Sequence, residues 1–524
     1  MKQPASPAPA ATTSLSPGLR RYLYFTATVT GAAVMIVEIL GAKMLAPFFG
    51  TSHFVWTAQI AVTLVALATG YYVGGRWADR AQQLHRLYAA LLAAAGYLGM
   101  TVFAVERVAN TCLAFRLAAG SLLAAAFLFF IPLALLAMVG PFFVRVLTVA
   151  VTGVGGNVGR LTALSTLGSF GGTMLIGYVL IPFLANSTTM WLTSGILSLV
   201  AAGYFVVWGR KHTSPALSVT AAVVVLIPGG VGVALEERLS FPDWQEIARA
   251  NSNFGRLQVL NRVDGTARYY LNDYLTQNTY DPSTKRSLSL FTYMLHALAR
   301  GYRTNLDDVL CIGVGVGIVP REFAREGARV SAVEINPAVI TLAQKHFDFD
   351  PQQVQLTIDD GRHFLNAGTN RFDAIVLDAF LGDSSPAHLM SREALAAMQR
   401  RLKPGGVLVM NTFGQNEPGR NFFSASLTKT LAAVFQNVRV HASGNGNVFM
   451  VASDQAAMEL QTGPSLTNVP ESLHESMRAA WNTLLKFDPA DGMVLTDDYN
   501  PVDYHDAANR EQFRRQMALS LRRH

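Results

Sequence analysis

One segment leaves this chain little freedom in how it folds: Val309-Leu-Cys-Ile-Gly-Val-Gly-Val-Gly317, followed by Val-Ser-Ala-Val-Glu334 and then Ile-Asp-Asp360-Gly361. A short apolar strand runs into a glycine-rich turn, a helical stretch follows, and a second strand ends in an acid. Glu334 lies 21 residues after Gly313. From Asp308 to about residue 455 strand and helix patterns alternate, which implies a parallel sheet with helices on both faces. Ligands on such sheets bind beyond the carboxyl ends of the strands. There Gly313, Gly315 and Gly317 let the backbone pass close to a nucleotide-type ligand, and Glu334 is placed to accept hydrogen bonds from ribose hydroxyls. At the third strand end an acid can accept from an adenine amine, and only one of Asp359 and Asp360 need face the ligand. Upstream, Phe254 to Tyr280 alternates around Asp264-Gly265 as a hairpin does, and Lys285 to Arg300 reads as a helix. Asn437–Ala442 and Asn447–Ala452 read as a closing antiparallel pair, and Asn509 to His524 as a basic amphipathic end helix.

The first half of the chain has a different character. Only 15% of the residues are charged against 51% hydrophobic, and the shortfall in charge sits before about residue 235, which points to membrane rather than ordinary globular protein. Apolar stretches recur at about 22–42, 54–75, 87–105, 117–139, 161–184, 190–208 and 216–234. Most reach the ~20 residues that a helix needs to cross hydrocarbon. Gly70-x-x-x-Gly74 and Gly168-x-x-x-Gly172 suit close helix contact. Glu38 lies inside the first stretch, where a carboxylate is costly unless it is paired or faces a cavity. A substrate path, a proton site and a structural pair with an arginine on a neighbouring helix are all open readings for it. The net charge of +7 is spread over loops and helix ends, so it reads as membrane anchoring and not as a nucleic-acid surface. Cys112 and Cys311 fall in different halves and lack metal-ligand spacing.

The expected organisation is a disordered tail over 1–18, a helical bundle of about seven spans over 19–237, a small β-hairpin subdomain over 238–284 and an α/β domain over 285–524. Arginine and lysine near the span ends favour a cytoplasmic N-terminus. Seven crossings would then put the α/β domain outside, whereas nucleotide-derived ligands are found in the cytoplasm. The cytoplasmic side is the reading adopted, for a multi-pass protein of the plasma (inner) membrane.

Phe372-Asp-Ala-Ile-Val-Leu-Asp378-Ala-Phe-Leu-Gly-Asp383-Ser-Ser-Pro386-Ala-His388-Leu389 carries the most specific chemistry. Asp378 ends a buried strand and Asp383 follows in its loop. Two carboxylates beside an adenosyl site suit an amine substrate, one accepting a proton and another holding an ammonium.

With that loop the chain resembles the spermidine synthase family, the polyamine aminopropyltransferases, and most of all their membrane-fused members. Further residues that carry the resemblance are Glu38-Ile-Leu-Gly-Ala-Lys-Met-Leu-Ala-Pro-Phe-Phe-Gly50, Gly70-Tyr-Tyr-Val-Gly-Gly-Arg-Trp-Ala-Asp-Arg80 and Gly159-Arg-Leu-Thr-Ala-Leu-Ser-Thr-Leu-Gly168. The soluble part adds Leu271-Asn-Asp-Tyr-Leu-Thr-Gln277 and Leu495-Thr-Asp-Asp-Tyr-Asn-Pro-Val502. The resemblance implies a Rossmann-like transferase domain that uses decarboxylated S-adenosylmethionine, or S-adenosylmethionine itself, as cosubstrate, with no prosthetic group and no metal. It implies transfer of an aminopropyl group to an amine such as putrescine and release of 5′-methylthioadenosine. Carried over residue by residue, Gln277, Glu334, Asp360 and Gly361 hold the adenosyl moiety, Asp378 accepts the proton and Asp383 binds the amine. The implied partners are the amine and the lipid bilayer, with no nucleic acid, and a homodimer is compatible.

The chain also departs from the family pattern. Val316 stands where the glycine turn usually holds an acid. Phe291-Thr-Tyr293-Met294 replaces Tyr-x-Glu-Met, so a glutamate is missing. His296 lies one position away from a family substrate histidine. The acids of the Asp378–Leu389 loop are five apart instead of three. Tyr293, His296, Asp497 and Asp498 are therefore further candidates for the amine site, the last two as replacements for the lost acids. Alternative functions are an S-adenosylmethionine-dependent methyltransferase and a non-catalytic, adenosyl-ligand-sensing polyamine transport module.

Overall fold

The computed structural model describes residues 15–50, 53–148, 154–209, 240–241, 243–273, 275–380, 386–444 and 446–505. The tail over 1–14, the apolar segment 216–234, Asp383 and the expected end helix over 509–524 lie outside the described residues. The chain divides into two compact units, the second taking up the chain from Glu237.

In the first unit six helices are long and apolar enough to cross a membrane: α1 (Pro17–Phe49), α2 (Phe54–Arg80), α3 (Leu84–Cys112), α4 (Leu117–Leu147), α5 (Val154–Phe183) and α6 (Asn186–Val207). Helix α1 starts at Pro17, inside the segment expected to be a disordered tail. A proline at the first helical position costs nothing there, because its missing N–H would have no partner in any case. Apolar side chains point outward, among them Leu64, Phe127, Leu167, Phe170 and Phe183. Both glycine pairs are contact points: a Cβ on Gly70 or Gly74 would strike the backbone of Ala134 or Met138, and one on Gly168 or Gly172 that of Thr28 or Ala32. Helices α4 and α5 share a local device. In each, a π-helical turn (Ala126–Phe130, Ile176–Leu180) directly precedes an Ile-Pro pair, Ile131-Pro132 and Ile181-Pro182. Proline has no N–H to offer to the preceding turn, so the hydrogen-bond ladder loosens there without breaking the helix. Glu38 is half-buried on α1, and among the described residues no arginine pairs with it.

The second unit opens with a six-stranded antiparallel meander: β1 (Ser240–Phe241), β2 (Trp244–Ser252), β3 (Gly255–Arg262), β4 (Arg268–Asn272), β5 (Leu275–Asp281) and β6 (Arg286–Ser287). The expected hairpin is its β3–β4 pair, turning at Asp264-Gly265 with Gly265 at φ 74°, and the subdomain is larger than a hairpin. The helix expected from Lys285 begins only at Leu290, as α7 (Leu290–Tyr302). The serines ahead of it are held by the sheet instead: Thr279 N–H donates to Ser289 Oγ at 2.9 Å, and Leu288 N–H to the Thr279 carbonyl at 2.7 Å.

A seven-stranded sheet follows: β7 (Asp308–Ile312), β8 (Arg329–Glu334), β9 (Gln355–Ile358), β10 (Phe372–Leu377), β11 (Leu402–Phe413), β12 (Asn437–Ala442) and β13 (Asn447–Ser453), in the order β12-β13-β11-β10-β7-β8-β9. The strands from β9 to β11 are parallel, while β13 runs antiparallel to both β11 and β12. Helices α8 (Ile318–Arg325), α9 (Pro337–His346), α10 (Gly361–Ala367), α11 (Arg392–Arg401) and α12 (Phe422–Ala432) connect or cover these strands. This is a Rossmann-like fold. Its core has two sides. Val309, Cys311, Val376 and Val409 pack into one apolar cluster, and the intervening Leu310, Ile312, Ile375 and Leu408 into the other. Strand β10 is buried along its whole length, as a strand covered on both faces must be. The strand order reverses at β7 and β10, so the crevice beyond their carboxyl ends is where a ligand fits.

Candidate active site

The glycine turn makes that crevice. Gly313, Gly315 and Gly317 have φ of 88°, 52° and 83°, in the left-handed region that side chains with a Cβ avoid. At Gly313 the approach is tightest, because an added Cβ would strike the Asp378 carbonyl. The turn therefore brings the end of β7 flush against the end of β10. Asp378 N–H donates to the Ile312 carbonyl at 2.9 Å and continues the ladder one step into the loop.

Glu334 ends β8 and is 8% exposed. Its Oε2 accepts from Val314 N–H and its Oε1 from Asn336 N–H, both at 3.0 Å. Burial raises its pKa, and the backbone N–H groups work against that rise. The glycine turn and the residues after β8 thus hold the carboxylate at the cleft wall, the place at which a ribose diol donates in sites on parallel sheets. At the end of β9, Asp359 pairs through Oδ2 with His363 Nδ1 at 2.6 Å. Asp360 caps α10: its Oδ1 accepts from Arg362 N–H at 2.9 Å and His363 N–H at 3.0 Å, while Oδ2 lies 2.9 Å from His388 Nε2. Burial alone would raise the Asp360 pKa, but the His363 N–H and the His388 ring outweigh it and hold the carboxyl below its usual value.

Asp378 faces the cleft from β10. Burial pushes its carboxyl up to about 6, the Asn411 amide pulls it down, and the nearby Glu334 charge adds to the rise. Asn411, at the neighbouring position on β11, is 2% exposed and donates from Nδ2 to Asp378 Oδ1 at 2.9 Å. The Asn411 Oδ1 is buried without a partner, as are the Oδ1 atoms of Asn272 and Asn278, which also line the cleft. Buried amide oxygens without partners are rare in a folded protein and mark places where a ligand can supply the donor.

The cleft thus gathers Gln277, Gly313, Gly315, Glu334, Asp360, Gly361 and Asp378. Gly317 stands directly behind, its missing Cβ leaving room for the Phe349 ring. Four amine-site candidates lie elsewhere. Tyr293 turns into the core and donates its hydroxyl to the Ser287 carbonyl at 2.9 Å, while its neighbours Phe291 and Thr292 reach the cleft. His296, three residues further along the helix, has its ring 4.6 Å from that of Phe323, tilted by 48°, and lies 3.1 Å from Glu326. Asp497 is bound by Arg362, with contacts at 2.9 and 2.7 Å, and by the Ser391 hydroxyl, and Asp498 is exposed. Arg362 also donates to the His388 carbonyl at 2.7 Å. Asp497 therefore reaches the cleft only indirectly, through Arg362 and the segment carrying His388. Among the described residues no cluster of His, Cys, Asp and Glu could hold a metal ion. Asn411 and His388 are the site residues that sequence reasoning passed over. Their signals were present, one at the carboxyl end of a strand beside β10 and the other within the Asp378–Leu389 loop.

A protein-family model described as a methyltransferase domain matches residues 309–406. A polyamine aminopropyltransferase of Vibrio vulnificus is 35% identical over 244 residues, covering 43% of this chain and 77% of its own length. The chain belongs to the polyamine aminopropyltransferase family. A probable polyamine aminopropyl transferase of Bifidobacterium longum is 26% identical over 219 residues, 38% of this chain, and the chain spans 49% of that relative's length. An N-terminal histidine N-methyltransferase of Emericella nidulans is 26% identical over 263 residues, 46% of this chain and 44% of its own. The crystal structure of a probable spermidine synthase from Corynebacterium glutamicum overlaps 43% of this chain and 87% of its own, at 19% identity and a TM-score of 0.38. The family consists of transferases, and this aminopropyltransferase family member is a transferase enzyme.

Proposed function

We propose that the chain is a membrane-bound aminopropyltransferase that takes its alkyl group from decarboxylated S-adenosylmethionine. The observation that carries this reading is Asp378, a carboxyl with a pKa raised to about 6, set at the carboxyl end of β10 against the glycine turn and the Glu334 side of the cleft. Glu334 takes the ribose hydroxyls. Asp359 or Asp360 accepts from the adenine amine, with Gly361 leaving room beside it and Gln277 closing the site from β5. An amine nucleophile must be neutral to attack, and a carboxylate of this pKa accepts its proton near neutral pH. The new bond joins the amine nitrogen to the aminopropyl carbon. The carbon–sulfur bond breaks, its electron pair stays on sulfur, and 5′-methylthioadenosine leaves as a neutral thioether. The enzyme contributes positioning and proton acceptance. Asp383 lies outside the described residues and has no part in this account.

The six apolar helices, with apolar side chains facing outward, support insertion in the inner membrane. Six crossings by the described helices keep Pro17 and Val207 on one side, and the arginines near the span ends favour the cytoplasm for that side. A second reading, S-adenosylmethionine-dependent methyl transfer, is favoured by the methyltransferase-domain match over 309–406. Detergent-purified protein offered each donor with a panel of amines separates the two. Production of 5′-methylthioadenosine from the decarboxylated donor establishes aminopropyl transfer, and S-adenosylhomocysteine from the carboxylated donor replaces it with methyl transfer.

A further inference from the structure

Residues 495–500 run as a strap across the segment that carries His388. Leu495 anchors the strap: its side chain is buried in the apolar cluster that also holds Leu389, and its N–H donates to Thr430 Oγ1 on α12 at 2.9 Å. Its carbonyl accepts from Arg392 N–H at 2.8 Å, at the start of α11. Further along, Asp497 N–H donates to Glu393 Oε2 at 3.0 Å, and Asn500 Nδ2 donates to the Ala387 carbonyl at 3.1 Å. The Asp497 carboxylate completes the arrangement. Arg362 grips both of its oxygens, and the same guanidinium reaches Ser391 Oγ at 3.1 Å and the His388 carbonyl at 2.7 Å. This guanidinium therefore ties the first turn of α10, residues 388–391 and the strap together. Arg362 follows Asp360 by two residues, and its own N–H is one of the two donors to Asp360 Oδ1. The other oxygen of Asp360 lies against His388 Nε2. Both oxygens of this acid at the cleft wall are thus set by chain that Asp497 holds.

Resting on the adenosyl-donor part of the reading above, we infer that Arg362 and Asp497 are positioning residues for the donor: their ion pair fixes Asp360 and His388 at the adenine edge, and so sets how tightly and how selectively the base is held. A bidentate arginine–carboxylate pair constrains direction as well as distance. An exposed ion pair by itself contributes little to stability, so what the pair adds here is placement. An acceptor aimed at the 6-amine of adenine discriminates against a base with a carbonyl in that position, because the two acceptors then face each other unpaired. That discrimination needs the carboxylate to hold its direction, which His388 and the start of α10 provide. Asp378 stands on the other side of the glycine turn, at the end of β10. The effect of the strap therefore falls on donor KM and not on kcat.

The test is calorimetric titration of the full chain in detergent with 5′-methylthioadenosine and with 5′-methylthioinosine, in which a carbonyl replaces the 6-amine. Wild type should prefer the adenosine by about tenfold or more. Asp497→Asn keeps the shape of the side chain and gives up its charge. Its affinity for the adenosine should fall by about fivefold, with the preference shrinking by the same factor, and its donor KM should rise while kcat stays within about twofold. His388→Ala, the next link, should lose the same preference, and Asp497→Glu should recover most of it. Asn500→Ala removes only the bond to the Ala387 carbonyl and should shift the preference in the same direction by a smaller factor, which keeps the test open if Asp497→Asn does not fold. Variants that melt lower but keep the wild-type preference overturn the inference, since the strap would then serve stability alone. A fall in kcat with donor KM unchanged also overturns it, as does a wild type that binds the two nucleosides equally. In these cases the adenosyl reading stands. A wild type that binds neither nucleoside overturns that reading and the inference with it.

Discussion

Replacing Asn411 with leucine should move the pH profile of the enzyme without dismantling its site. Asn411 is 2% exposed and its amide Nδ2 lies 2.9 Å from Asp378 Oδ1. Leucine keeps about the same volume and removes the donor. A hydrogen bond to a charged group is worth about 1.5–3 kcal/mol, and one pKa unit corresponds to about 1.4 kcal/mol. Loss of the bond should therefore raise the Asp378 pKa by about 1–2 units from its value of about 6. The sign follows from the role of a base: only the ionised carboxylate accepts a proton, so kcat/KM climbs with pH and levels off above the pKa. At pH 6 the wild type should run at roughly half its plateau and Asn411→Leu at a tenth of its own or less. The assay is 5′-methylthioadenosine formation between pH 5 and 9 under kcat/KM conditions. A variant that loses activity by the same factor at every pH would refute the reasoning, because the amide would then act on something other than the protonation of Asp378.

Asp378→Asn should lower kcat by about 10²–10⁴, the usual share of a general base, with donor affinity within a few-fold of wild type in equilibrium binding. The same variant should melt higher than wild type at pH 8. A carboxyl whose folded pKa is raised binds its proton more tightly when folded, so stability falls as pH rises from about 4 through about 6, and asparagine removes that loss. Thermal melts at pH 5 and 8 check the sign. Gly313→Ala forces a left-handed φ of 88° on a residue with a Cβ, at a cost of about 1–2 kcal/mol, and pushes against the Asp378 carbonyl. It should weaken donor binding and turnover together, read by calorimetry and kcat. Leu310 is 0% exposed in the centre of the sheet, and Leu310→Ala should cost about 2–5 kcal/mol in chemical denaturation of the second unit.

What the sequence made legible follows the strength of its local signals. The β7 turn, the strand ends at Glu334 and Asp378 and the closing β12–β13 pair are written in apolar runs and glycines that few other structures satisfy. Six apolar stretches became six long helices for the same reason. The meander was harder, because β2 (burial intermediate along most of its length) and the two-residue β1 and β6 carry no clean alternation. Lys285–Ser289 read as helix from composition, while serine hydroxyls bonded to β5 decided otherwise. In the site, sequence order gave the strand ends and not the facing of helix α7. On α7 neighbouring residues diverge, so Phe291 and Thr292 turn to the cleft while Tyr293 and His296 do not. Asp497 could not be placed from spacing, since its partner Arg362 is 135 residues away. Asn411 went unremarked because an asparagine carries no charge pattern. Only the sheet order, setting β11 beside β10, puts it against Asp378.

Mass spectrometry of the amine after one turnover, with a donor deuterated throughout its aminopropyl group, tests the central claim most directly. Aminopropyl transfer predicts that the amine gains the whole labelled three-carbon unit in wild type, with a loss of at least a hundredfold in Asp378→Asn. An amine that gains an unlabelled methyl group, or a labelled product formed equally well by Asp378→Asn, would contradict it.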